Sequence, residues 1–470
     1  MPKANKNTYD AIIIGAGISG LICGCYLAKA GLKVLLAEQH DKPGGYFTSF
    51  KRRGLLFDAA AHSFGNYREG GHVRKILTEL NIDKRLKIER SDPSDIVITP
   101  DYRLVFRNNI EDTIANLSSN FPKEKNNIVN YFKFLTSASQ SEFVKLKDKT
   151  FKSLLNDFFN DEQLINSLAF PVFGSGGLPH TLMDAFIGTK IFSEFILDGG
   201  YYPEGGIQSL PNAMAQVIQQ HNGEILYSRL AKKILCKNNN IIGIELDSKE
   251  LFFSKYVVAA CDITQTFKKL IGSDLVDKKT ISYLNHMTPS ISTFILYIGI
   301  DRPFNELPEA GTNIWYLPHY NLDEIYQQMQ KCNFDKTGYL LRVSPNKKTI
   351  LAFFGAPFKT SLFWKQNKRK IAEDFLQRIE KVIPNLKKHI VFFDAATPRT
   401  FYKYTLNHKG AAFGWAKIPS QAFDPALSKT TFINGLYLTG HWTSIAFGMP
   451  GTCYSGLDTA KRILRKERVI

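Results

Sequence analysis

Two kinds of hydrophobic pattern alternate along this chain. Residues 11–14 (AIII) are an uninterrupted apolar run, which reads as a strand buried on both faces at the centre of a parallel sheet. An apolar helix is expected over 18–30, stopping at Gly31 as a C-cap, and a second buried strand over 33–37 ends on Glu38. Segment 110–195 has helical periodicity with many large side chains, among them Phe132, Phe134, Phe151, Phe158 and Phe159, and FPVFGSGG at 170–177 is expected to break it. From 200 to 285 a helix at 209–220 precedes four strands near 224–227, 231–237, 241–247 and 251–260, with a turn at 238–240. So dense a run of strands fits a β-meander packed on the first sheet. Strands at 292–300, 349–354 and 389–394, with helices at 319–331 and 368–383, follow. A buried strand at 436–439 and a helix at 452–465 close the chain. No internal repeat of fixed period is present.

The chemistry begins where the first strand ends. Gly15, Gly17 and Gly20 form G-x-G-x-x-G between a strand and a helix. Gly15 permits the tight turn, Gly17 lets a diphosphate approach the backbone, and Gly20 lets helix and strand pack closely. The helix N-terminus supplies N–H groups and a favourable dipole for that diphosphate. Glu38, at the end of the second strand, is placed to accept hydrogen bonds from an adenosine ribose. A lone glycine fingerprint is weak evidence; set between strand, helix and acid, it predicts a dinucleotide site.

The residues that follow indicate which dinucleotide. Pro43-Gly44-Gly45 comes soon after Glu38, and FDAAAHSFG occupies 57–65. With GAGISGL at 15–21, this pattern resembles the phytoene desaturase and carotenoid cis–trans isomerase family of FAD-dependent oxidoreductases, within the amine-oxidase-like flavoproteins. GGYYPEGGIQSL at 199–210 is similar to that family's G-x-x-Y-P-x-G-G-x-x-x-L segment, and GLYLTG at 435–440, leading into GMPGT at 448–452, to its second FAD motif. The resemblance implies an α/β fold: a discontinuous Rossmann-type FAD-binding domain of the glutathione-reductase and amine-oxidase type (1–70, 200–285, 430–470). It is expected to join a mixed-sheet substrate domain at 290–430 and a helical cap, facing a membrane, at 110–195. Non-covalently bound FAD is the implied cofactor. Its expected contacts are Gly15, Gly17, Ile18, Ser19, Gly20, Glu38, Gln39, Gly44, Gly45, Leu230, Gly440, Gly451 and Thr452. Backbone N–H at Gly451 and Thr452, read as the start of the last helix, would meet the flavin C2 carbonyl.

His62 and His441 are the candidate proton-handling residues, each weighed against a purely structural histidine. His441 and Trp442 stand where many FAD proteins carry an aspartate for the ribityl chain. Backbone N–H of Trp442 or Thr443, or the Thr443 hydroxyl, is the expected substitute. The family implies desaturation, saturation or isomerisation of a long polyene or isoprenoid lipid in an aromatic-lined cavity. Two alternatives stand beside it. In amine or amino-acid oxidases of this fold an arginine usually follows the Gly-Gly pair, where Tyr46 stands here. Non-catalytic prenyl-protein carriers resemble the fold with a damaged glycine fingerprint, which is intact here.

Composition changes the picture only at the edges. With 470 residues, 44% of them hydrophobic, the chain supports two or three domains. The net charge of +17 suits an anionic membrane surface, and equally a lysine- and asparagine-rich proteome; nucleic acid ranks low because no zinc-finger or RNA-recognition signature accompanies the charge. Six cysteines without a C-x-x-C pair read as reduced thiols of a cytoplasmic protein. The opening MPKANKNTYD has no apolar signal region and no stretch is long enough to span a bilayer, so any membrane contact is expected at the surface. No metal-ligand spacing is seen.

Overall fold

The computed structural model describes residues 7–137, 142–143, 145–146, 148–424, 431–443 and 448–469. Its first sheet is built from three separate stretches of chain. Thr8–Ile14 lies at the centre, parallel to Val34–Ala37 on one side and to Leu251–Ala259 on the other. Glu224–Leu226 extends the sheet beyond Val34–Ala37, also in parallel. Leu436–Leu438 pairs in parallel with the second half of Leu251–Ala259. The apolar run predicted to be buried on both faces is so because helices and loops cover each face. Ala11 and Ile13 pack with the Ile18–Lys29, Ser209–Gln220 and Gly448–Lys466 helices, while Ile12 and Ile14 pack with Ile263, Phe267 and Trp415.

The strands Ala231–Lys237 and Asn240–Leu246 do not pack on this sheet as a separate meander. They continue it, antiparallel, from the free edge of the first half of Leu251–Ala259. That strand is nine residues long, and Leu436–Leu438 covers only its second half, so its first half is left to pair with Asn240–Leu246.

A second seven-stranded sheet runs in the order Ile390–Ala396, Ser292–Ile300, Thr349–Ala356, Tyr339–Val343, Asn313–Tyr316, Asp95–Ile98, Arg103–Phe106. It is antiparallel except where Asn313–Tyr316 meets Asp95–Ile98. All nine residues of Ser292–Ile300 are buried. Phe294, Leu296 and Ile298 point to the Ser361–Ile379 helix, with Phe294 stacked on Phe354 at 5.3 Å. Thr293 and Ile295 point the other way, into a cavity shared with the first sheet.

Helices Lys125–Ser137, Phe151–Asn156, Glu162–Gly176 and Ala185–Ile191 cover one end of the second sheet. Most of their aromatic residues fill their own core, where Tyr131 meets Phe158 and Phe159 edge-on, each at 5.2 Å; Phe170 and Phe173 instead border a small hollow beside the cavity. The break expected at 170–177 falls only at its last residue. The helix passes through Pro171, sacrificing one N–H, and ends at Gly177 with φ 78°. The helix expected at 368–383 starts seven residues earlier, at Ser361, where the Thr360 hydroxyl accepts from the Phe363 N–H at 3.2 Å. The last helix likewise begins at Gly448, four residues ahead of its predicted start.

Among the described residues, no helix is long and apolar enough to cross a membrane. All six cysteines are free thiols.

Candidate active site

A cavity of about 360 Å³ runs from the glycine turn of the first sheet to the inner face of the second. At one end lie Gly15, Gly17, Ile18 and Ser19. Gly20 is not at the surface of the cavity: a Cβ there would stand 2.1 Å from the Gly15 carbonyl oxygen, so it serves helix–strand contact. A Cβ at Gly17 would meet nothing within 4 Å, so this backbone is bare toward the cavity. Gly17 is also the N-cap of the Ile18–Lys29 helix, and no side chain satisfies that helix start. An open helix N-terminus beside bare backbone fits a diphosphate.

Glu38 is buried and holds this turn in shape. Its Oε2 accepts from the Ala16 N–H at 2.7 Å and its Oε1 from the His40 N–H at 2.9 Å. Burial pushes its carboxyl pKa up, against the pull of those two donors. Gln39 and His40 both donate to the Tyr404 carbonyl, at 2.9 and 2.5 Å, and with Arg229 and Leu230 they close this end.

Gly44 and Gly45 line the middle, with φ of 132° and 60° that favour glycine. Gly440, Gly448, Met449 and Thr452 line it from the C-terminal side; Gly451 does not. Because the last helix starts at Gly448 and Pro450 has no N–H, the free N–H groups of its first turn belong to Gly448, Met449 and Gly451, not to Thr452. The Thr452 hydroxyl donates back to the Gly448 and Met449 carbonyls at 2.8 and 3.0 Å. Thr443 is buried and turned away, its hydroxyl donating to the Gly440 carbonyl at 2.7 Å, so that expected substitute for an aspartate falls. The Thr443 N–H is likewise committed, to the Gly440 carbonyl at 3.0 Å, which leaves the Trp442 backbone N–H of the expected substitutes; the Trp442 indole N–H donates to Asn407 Oδ1 at 2.9 Å.

His62 and His441 both line the cavity, half-buried. Desolvation, then the Arg342 guanidinium, brings His62 down to about 3. Desolvation, then the Lys417 ammonium, brings His441 down to about 3. Both rings are therefore neutral at ordinary pH. The far end of the cavity is mostly apolar, walled by Ile295, Trp315, Phe353 and Phe413, with Asp95 and Asn313 beside Trp315 as polar groups. A smaller hollow between Phe170, Met329 and Phe354 adjoins it and shares Gly174, Trp315 and Phe353. Gly174 is obligatory there, because a Cβ would lie 2.1 Å from Trp315 Cζ3.

Several polar lining residues were not anticipated from sequence, among them Asp262, Asp95 and Asn407. Asp262, pushed up to about 6 by burial, accepts from the His408 and Gln265 N–H groups at 2.5 and 2.8 Å. Its position just beyond the carboxyl end of a parallel strand is a readable signal. Asp95 and Asn407 come from stretches without a motif. Asp95 is fully buried, takes Trp315 and Asn313 on one oxygen at 2.8 and 3.0 Å, and is pushed up to about 6 by burial.

A mostly parallel sheet assembled from separate stretches of chain, with an open helix start capped by Gly17, facing a second sheet across a largely apolar cavity, is the architecture of a dinucleotide-binding enzyme. The chain belongs to the family of flavin containing amine oxidoreductases, whose model matches residues 18–464. It is an FAD-dependent oxidoreductase.

Among curated proteins it is 24% identical to the chloroplastic prolycopene isomerase of Arabidopsis thaliana, over 99% of this chain and 85% of that one. It is 25% identical to the lycopene-forming phytoene desaturase of Pseudescherichia vulneris, over 96% and 98%. The all-trans-retinol 13,14-reductase of Danio rerio is 24% identical over 97% and 86%. Among solved structures, an oxidoreductase from Methanosarcina mazei superposes with a TM-score of 0.69 at 17% identity, covering 96% of this chain and 100% of that one. A variant of putrescine oxidase gives 0.69 at 15% identity, covering 98% and 99%. The enzyme is thus of the kind that includes carotenoid desaturases, carotenoid isomerases and retinol reductases.

Proposed function

We propose that this enzyme alters the double-bond pattern of a long apolar polyene or isoprenoid lipid, by desaturation, saturation or cis–trans isomerisation. The observation that carries the reading is the far end of the cavity, where Ile295, Trp315, Phe353 and Phe413 lead into a second apolar hollow. The names of three relatives, each a protein acting on a carotenoid or a retinoid, support it. Against a small cationic amine, Arg342 and Lys417 supply positive charge nearby and both histidines are neutral, while the lining carboxyls Asp95 and Asp262 already accept hydrogen bonds from the protein and are pushed toward their neutral form by burial.

Bound FAD supplies hydride acceptance or donation. The chain's own residues would bind and orient. Gly15, Gly17, Ile18 and Ser19 would take the diphosphate, and Gly20 would keep the helix close enough to do so. Glu38 would take the ribose, and Gln39 and Leu230 would flank the adenine. Gly44, Gly45, Gly440 and the 448–452 turn would border the ring. The apolar walls would exclude water from the reacting carbons. The net charge of +17, with Arg465 and Lys466 ending the last helix, supports a surface contact with anionic lipid, from which such a substrate would be drawn.

The test is to present polyenes in vesicles to the purified holoprotein and resolve the products by chromatography. A changed double-bond number or geometry is expected. Unchanged lipid together with rapid, peroxide-forming turnover of a polyamine would overturn the proposal.

A further inference from the structure

His441 belongs to a hydrogen-bond network whose polarity is fixed by one atom that has no choice. The Trp442 indole nitrogen only donates, and it lies 2.9 Å from an Asn407 side-chain atom. That atom must therefore be Oδ1, which settles the orientation of the amide. Asn407 Nδ2, a donor only, then faces the Tyr46 hydroxyl at 2.8 Å, His441 Nε2 at 3.4 Å and the Ala411 carbonyl at 3.5 Å. The Tyr46 hydroxyl can accept because its own proton goes to the Ala411 carbonyl at 2.7 Å. A proton on His441 Nε2 would set two N–H groups against each other across a buried contact, so Nε2 must carry the lone pair. The ring proton then sits on Nδ1, the nitrogen for which no protein partner is seen among the described residues. Asn407 is itself only 6% exposed and Trp442 2%, so water cannot relax the arrangement cheaply.

His62 is fixed in the opposite sense toward the cavity. Its Nδ1 lies 3.3 Å from the Ala60 carbonyl, which only accepts, so Nδ1 carries the proton and Nε2 is left as an acceptor. Two neutral imidazoles thus line one cavity with opposite free functions.

We propose that Asn407 is a positioning residue that locks His441 as its Nδ1–H tautomer, making this ring a hydrogen-bond donor to a heteroatom of the bound flavin and denying it the role of proton acceptor. The choice of flavin over substrate rests on the lipid reading above, since a hydrocarbon polyene offers a donor no acceptor. The tautomer does not rest on it: the network exists in the protein alone.

The experiment is nitrogen NMR of holoprotein labelled with 15N in its ten histidines, with the His441 signals assigned by their loss in His441→Gln. The wild-type spectrum should show His441 protonated at Nδ1 and bare at Nε2. In Asn407→Asp the carboxylate only accepts, so the tautomer ratio should reverse by about tenfold or more, equivalent to about 1.4 kcal/mol. The visible spectrum of the bound flavin should shift with it. A wild-type His441 protonated at Nε2, or an unchanged ratio in Asn407→Asp, overturns the assignment; a reversed ratio with an unshifted flavin spectrum overturns the flavin contact. If Asn407→Asp fails to hold FAD, the wild-type spectrum decides alone. None of these readouts involves substrate, so a failed lipid assay leaves them unaffected.

Discussion

Two glycines of one motif should respond in opposite ways to the same added methyl group. At Gly20 a Cβ would lie 2.1 Å from the Gly15 carbonyl oxygen and 3.0 Å from Ala260 Cβ. Ordinary contact begins near 3.4 Å, so helix and strand must separate locally by about 1.3 Å, the difference between 3.4 and 2.1. The obstacle is backbone, which puts the cost at the upper end of overpacking, about 3 kcal/mol. Alanine regains about 1 kcal/mol of helix propensity inside Ile18–Lys29, leaving a net loss of about 2 kcal/mol for Gly20→Ala. At Gly17 the methyl would meet nothing, and the backbone angles of −69° and 170° suit alanine. A lost cap preference of about 0.5–1 kcal/mol is offset by about 0.4–1 kcal/mol of reduced unfolded-chain entropy. Gly17→Ala apoprotein should therefore match wild type within about 0.5 kcal/mol in urea unfolding. Its methyl would occupy the face the diphosphate needs, so FAD binding, followed by flavin fluorescence, should weaken at least about tenfold, or 1.4 kcal/mol. If Gly17→Ala destabilises the apoprotein as much as Gly20→Ala does, or binds FAD as tightly as wild type, the cradle is misassigned.

Other substitutions probe the remaining walls. Ser455→Ala should lower stability by about 1–3 kcal/mol and speed FAD release, because the buried Gly440 N–H, 2.9 Å from Ser455 Oγ, loses its acceptor; chemical denaturation and flavin dissociation rates check this. Gly174→Ala should push Trp315 off Asp95, costing about 2–3 kcal/mol and changing tryptophan emission. Asp95 has a folded pKa near 6, above its unfolded value of about 3.9, so the folded state binds the extra proton between those pH values. The Asp95 contribution to apoprotein stability should consequently fall as pH rises from about 4 to 6, whereas His62 and His441, held neutral in the fold and protonated in the unfolded chain, act in the opposite direction over the same range. Asp262 and Asp184, also near 6, act in the same direction as Asp95, and Asp95→Asn should remove one carboxyl's share, of order 1–3 kcal/mol. An unchanged pH slope in Asp95→Asn unfolding curves would refute the assignment.

What the sequence discloses here is local, and what it conceals is set by contacts between distant residues. The glycine turn and Glu38 are readable because strand, turn, helix and acid lie within a single stretch of about 30 residues and obey backbone rules. The α/β class and a dinucleotide follow from them; the flavin comes only from the family resemblance carried by 43–45, 57–65, 199–210 and 435–452. The early start of the last helix was hidden because Gly448, Pro450 and Gly451 look like a turn, yet Pro450 sits in the first helical turn, where its missing N–H costs nothing. Pro171 misled in the same way: a proline reads as a break, but packing of Ile165, Leu168 and Val172 in the core outweighs one lost backbone bond. The fate of the cap's phenylalanines was also unreadable. The same aromatic residues could line a cavity or fill a core, and the structure divides them: Phe158 and Phe159 meet Tyr131 edge-on in the core, whereas Phe170, Phe173 and Phe195 border the cavity and its adjoining hollow. Asn407 makes the general case most sharply. It is a lone asparagine without a motif, 34 residues from His441, and nothing at its own position marks it. It becomes consequential only because Trp442, which cannot accept, stands beside it and forces its amide to face the imidazole. The part of the site that carries phosphate chemistry is therefore written along the chain, whereas the part that sets proton positions is written across it.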